Sequence, residues 1–116
     1  MSVTGRLPVA IVILGVQTSV QTWRDVAQET METIINLDEE RFYEVMERFP
    51  RMLTKDPSRL RSNRQLSNGV FLETHLSADA IYRFCLQAAE VAELSADDWK
   101  VEFRDQAQAV AEPSGA

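Results

Sequence analysis

Residues 64–79 read Arg64-Gln-Leu-Ser-Asn-Gly-Val-Phe-Leu-Glu-Thr-His-Leu-Ser-Ala-Asp79, and their pattern decides the fold. Asn68-Gly69 is a strong hairpin signal, because both residues tolerate the positive φ of a two-residue type I′ turn. After it, Val70, Leu72, Thr74 and Leu76 alternate with Phe71, Glu73 and His75, so a strand is expected with one face to the core. Ser77 then offers its hydroxyl as a helix N-cap. A hairpin that runs straight into a helix implies antiparallel pairing, without the regular βαβ alternation of a doubly wound sheet.

Working outward, the first half repeats the order. Residues 8–21 are rich in β-formers around Leu14-Gly15, where glycine can accept positive φ, and read as a hairpin. The arm Val9–Ile13 is apolar on both faces, so it is either covered on both sides or meets a partner. As an exposed edge it would pair across a two-fold axis and make a homodimer. The other arm, Val16–Val20, alternates. Thr22 and Asp25 fit a capping box, and Trp23, Val26, Ala27, Thr30, Met31, Ile34 and Ile35 form a helical stripe broken at Asn36-Leu37. Asp38 can cap a second helix bearing Phe42, Val45, Met46 and Phe49, which Pro50 ends.

Residues 51–63 lack an apolar period and read as a basic loop. Ile81, Phe84, Cys85, Ala88, Val91 and Ala92 mark a third helix, and Trp99, Val101 and Phe103 alternate as a final strand. The expectation is a single α+β domain over residues 8–104: hairpin, two helices, second hairpin, helix and last strand. The sheet would be mostly antiparallel with the helices largely on one face. A flexible N-terminus (1–7) and a disordered acidic tail (105–116) flank it.

The 116 residues are 45% apolar and 26% charged, as expected of one globular domain. The apolar run Leu7–Val16 is too short to span a bilayer and lacks a cleavage signature, which points to a cytoplasmic protein. A single cysteine excludes an internal disulfide. The net charge of −6 is unevenly spread. Arg48, Arg51, Lys55, Arg59, Arg61 and Arg64 share their window with one acid, Asp56, for a local +5 that leaves −11 elsewhere.

Individual side chains carry less. Glu73 and His75, two apart on a strand, could form an acid–base pair or two legs of a metal site, but no third group joins them. Asp38-Glu39-Glu40 and Asp97-Asp98 stand at expected helix starts, where carboxylates meet the helix dipole. Cys85 lies on an apolar stripe and reads as core. The four glycines are too scattered for a phosphate loop, and no cofactor is implied.

Thr22-Trp23-Arg24-Asp25-Val26 after a hairpin, and Asn68-Gly69-Val70-Phe71-Leu72-Glu73-Thr74-His75-Leu76-Ser77-Ala78 leading into a helix, resemble a small bacterial domain of unassigned function. That domain is associated with restriction and phage-defence proteins. The resemblance covers roughly residues 9–104 and implies an accessory role in defence or nucleic-acid handling, with no catalytic residue carried over. The pattern more often has Asn where this chain has His75, which speaks against histidine chemistry.

The expectation for function is a non-catalytic interaction module. It would bind a protein partner or a nucleic-acid backbone through Arg48, Arg51, Lys55, Arg59, Arg61 and Arg64. An antitoxin-like inhibitor is the alternative, with Glu39, Glu40, Glu44 and Glu47 covering a basic enzyme. An enzyme using Glu73 and His75 ranks last.

Overall fold

The computed structural model describes residues 2–105. Its first strand, β1 (Arg6–Ile13), turns at Leu14-Gly15 into β2 (Val16–Ser19). Both turn residues have positive φ, 51° and 81°, as a type I′ turn requires. Thr22 then opens α1 (Trp23–Leu37) through the expected capping box: its hydroxyl accepts the Asp25 N–H while Asp25 accepts the Thr22 N–H. The helix carries Asn36 and Leu37 before it stops. Asp38 closes it and also caps α2 (Glu39–Arg48), accepting from the Glu40 and Arg41 amides.

Proline at 50 ends α2 at Phe49. The stretch expected as a loop contains the short strand β3 (Leu53–Thr54), a 3₁₀ turn (Pro57–Arg59) and the start of β4 (Asn63–Gln65). β3 was hidden because only Leu53 and Thr54 turn inward, too few to show a period. After β5 (Phe71–Glu73), Ser77 caps α3 (Ala78–Val91) and the chain closes with β6 (Trp99–Asp105).

The described residues form an α+β domain with three α-helices and two small antiparallel sheets, β2-β1-β6 and β3-β5-β4, rather than one sheet. The free edge expected at Val9–Ile13 is not there. That arm is the central strand, with Ile11 paired to Thr18 on one side and to Val101 on the other. Ile11 and Ile13 enter the core, while Val12 is half-buried and Val9 stands 41% exposed at a bulge.

The N-terminus is not loose as expected. Val3 is fully buried, its amide donates to Asp79, and the Ser2 and Thr4 hydroxyls donate to the same carboxylate. The tail expected from 105 lies outside the described residues except Asp105, which ends β6.

The core joins Ile11 and Ile13 of β1 to the α1 stripe, Phe42 and Val45 of α2, Leu53 and Leu72 of the second sheet, and Ile81, Phe84 and Ala88 of α3. Ala88 and Ala89 are small, which lets α3 lie close against α1. One polar pair is built into this core. Thr30 Oγ1 donates to the Val26 carbonyl at 2.7 Å and accepts the Trp99 indole N–H at 2.9 Å, so neither is buried unpaired.

Candidate anion-binding site

The basic window is shaped by short local contacts. Past α2 the chain folds through a turn in which the Met52 N–H donates to the Phe49 carbonyl, and Leu53 pairs with Leu72. Asp56 caps the 3₁₀ turn, accepting from both the amide and the hydroxyl of Ser58. Those bonds hold the Asp56 carboxyl below its ordinary pKa range. The strand β4 then follows from Asn63.

The pivot is Glu73. Its Oε1 accepts the Arg61 amide at 3.0 Å, and its Oε2 accepts the amides of Ser62, Thr74 and His75 at 3.0, 3.1 and 3.1 Å. Burial alone would raise its pKa, but these four backbone donors outweigh it and the value is lowered. The carboxylate is therefore an anchor that pins residues 61–62 to the end of β5.

This anchoring brings Arg51, Arg59 and Arg61 together around one concavity of about 530 Å³, whose remaining lining residues are Pro50 and Glu73. All three arginines are exposed. Glu73, the one acid among the lining residues, is occupied by backbone donors. Three guanidinium groups, always charged and able to bond two oxygens at once, thus face a hollow whose negative charge is already engaged. Such an arrangement can hold a phosphate or a pair of carboxylates.

The other three cations of the window do not join them. Half-buried Arg64 donates from Nη1 to Asp25 Oδ1 at 2.9 Å and to Gln28 Oε1 at 2.8 Å, tying β4 to α1. Lys55 Nζ lies 5.9 Å from the Tyr43 ring centre. Arg48 lines a different hollow with Arg41, Glu44, Glu90 and Glu93. The six-residue island expected from spacing is therefore three arginines at one hollow and three cations placed elsewhere.

His75 does not stand beside Glu73 as strand neighbours would. β5 ends at Glu73, the glutamate turns inward, and the imidazole is exposed. No group of three or more His, Cys, Asp or Glu side chains among the described residues could hold a metal ion. Cys85 is fully buried, which pushes its thiol up to about 12 despite a hydrogen bond with Thr30. The acidic residues Glu39, Glu40, Glu44 and Glu47 are exposed on α2.

Arg83 was not singled out by sequence reasoning. It lies on α3, outside the basic window, and lines an apolar hollow with Phe49, Met52, Ala80, Phe84 and Gln87. Only tertiary packing of α3 against the end of α2 places it there. Among the described residues no helix is long and apolar enough to cross a membrane. No family model, no curated protein and no solved structure matches the chain.

Proposed function

We propose that the protein is a non-catalytic interaction module of the cytoplasm that captures an anionic group of a partner through Arg51, Arg59 and Arg61. The observation that carries this reading is their convergence on a hollow whose lining acid, Glu73, is held by four backbone amides. A cluster of exposed like charges costs stability unless something offsets it, and an anion does so with oriented bonds. The resemblance to the defence-associated domain supplies the setting we propose, an accessory part in bacterial defence.

The test is charge reversal. Arg59→Glu combined with Arg61→Glu should weaken binding of a fluorescent single-stranded oligonucleotide or an acidic peptide by at least about tenfold, since a charged hydrogen-bonded contact contributes roughly 1.5–3 kcal/mol. It should also flatten the dependence of affinity on salt. Unchanged affinity and slope with both probes would show that the arginine hollow binds neither. The exposed glutamates of α2 favour one second reading, an inhibitor that covers a basic enzyme. In that case the double reversal is neutral, and Glu40→Lys with Glu47→Lys abolishes capture of a basic protein.

A further inference from the structure

The arginine hollow does not stand alone. The Phe49–Met52 turn separates it from the apolar hollow: Pro50 and Arg51 line one, and Phe49 and Met52 line the other. Phe49 packs edge-on against Phe84, with ring centres 5.3 Å apart, and stays half-buried, so its ring is presented at the rim. On its far side the apolar hollow adjoins a third one, between α2 and α3, with which it shares Phe49 and Gln87.

The charge along this path changes sign. At the far end, Glu44, Glu90 and Glu93 line the third hollow with Arg41 and Arg48, a local balance of −1, and Arg41 is already engaged by Glu93 at 3.0 Å and Glu44 at 3.5 Å. In the middle, among the described residues, Arg83 is the one charged residue lining the apolar stretch. At the near end Arg51, Arg59 and Arg61 dominate. A nucleic-acid strand, uniformly negative, would meet three glutamates if it followed the path. A peptide with acids at one end and an apolar side chain next to them meets a complement at each step.

We propose that the partner is an acidic peptide segment of another protein carrying an apolar anchor. The anchor seats between Phe49, Met52 and Phe84, and the carboxylates meet Arg83 and the arginine hollow. This rests on the arginine-hollow reading above and names its ligand class. Carboxylate pairs suit the guanidinium fork, while the half-buried Phe49 and Met52 supply the apolar surface that an acidic segment alone would not use. The volumes agree: about 230 Å³ in the apolar hollow accommodates one large side chain, not a chain of stacked bases.

The experiment uses the full chain and three fluorescent probes: a peptide whose first half is aspartate and glutamate, followed by one phenylalanine and then neutral residues, the same peptide with serine in place of the phenylalanine, and an oligothymidylate. The phenylalanine peptide should bind about tenfold or more tighter than the serine peptide, as burial of an aromatic side chain predicts. Ala80→Phe, which fills the hollow from the first turn of α3, should erase that difference while leaving the serine peptide unaffected. Arg59→Glu with Arg61→Glu should weaken both peptides.

If both peptides bind equally and the arginine reversal weakens them, the apolar anchor is overturned while the arginine hollow stands. If the oligothymidylate binds tighter than the phenylalanine peptide, the ligand is nucleic acid and the inference falls. If the reversal changes nothing, both readings fail together. A circular dichroism melt of Ala80→Phe within a few degrees of the parent establishes that loss of discrimination is not loss of fold.

Discussion

Glu73 shows how one side chain can read as chemistry and act as architecture. Its four amide bonds organise the segment that carries Arg61, so the arginine hollow depends on a residue that need not touch a ligand. Glu73→Gln keeps the shape but turns one acceptor oxygen into a donor that faces backbone N–H groups. A loss of about 2–3 kcal/mol in unfolding free energy is expected, within the range for hydrogen bonds to a charged group. The pH dependence has a definite sign. The folded-state pKa is lowered, so the unfolded chain takes up the proton first as pH falls. The stabilisation is complete above the ordinary carboxylate range of about 4 to 5 and drains away as pH drops through the folded value. Urea titrations between neutral pH and pH 3 should therefore show a shallower acid decline for Glu73→Gln than for the parent. Parallel declines would mean that the carboxylate contributes nothing through its charge.

Among the elements, the two hairpin turns exchange the roles that their sequences suggest. Asn68-Gly69, the stronger type I′ signal, does not form that turn. Of the two, only Gly69 has positive φ, at +89°, with the Gly69 amide donating to the Leu66 carbonyl and the Leu66 amide to Val70. That is a three-residue loop with a glycine bulge, into which Asn68 fits by accepting the Val70 amide. Leu14-Gly15 is the pair with two positive φ values, although leucine is poorly suited to the left-handed region. Leu14 is 45% exposed, so the strain is not repaid by full burial. Leu14→Asn should raise stability by about 0.5–1 kcal/mol, measured as an increased urea midpoint with an unchanged slope. A lowered midpoint would show that the leucine side chain contributes more by packing than its backbone costs.

These turns also mark how far the sequence is legible. Helix starts were readable to the residue at Thr22, Asp38 and Ser77, because a cap is a local bond between side chain and nearby amide. The number of sheets was not, since β3 is two residues long and is defined by its pairing with β5. The central place of β1 was equally hidden: the side-chain pattern reports which faces are covered, not which edges are paired, and the distant partner β6 decides that. For the site, charge density along the chain located the window, but the direction of each cation depended on contacts across it. Arg64 was drawn to Asp25, thirty-nine positions away, and Arg83 was brought in from α3.

At the scale of the whole molecule, long-range polar contacts join parts that the core alone would leave adjustable. Arg64 links the second sheet to α1 through the same Asp25 that closes the capping box. At the opposite end of the sequence, Asp79 in the first turn of α3 gathers Ser2, Val3 and Thr4, and the Arg6 amide bonds back to the Val3 carbonyl as β1 begins. Val3 is fully buried beneath this strap, which makes the first residues part of the fold. Val3→Ala should cost about 1–2 kcal/mol, as removal of buried methyl groups predicts. Asp79→Ala should release the strap without opening the core, so hydrogen exchange should quicken at the amides of Val3 and Arg6 and stay slow in β6 and α1. Because Val3 lines neither the arginine hollow nor the apolar one, affinity for the acidic peptide should be unchanged in Val3→Ala. Faster exchange throughout β1 and β6 in Asp79→Ala would instead make the strap a condition for the first sheet to form.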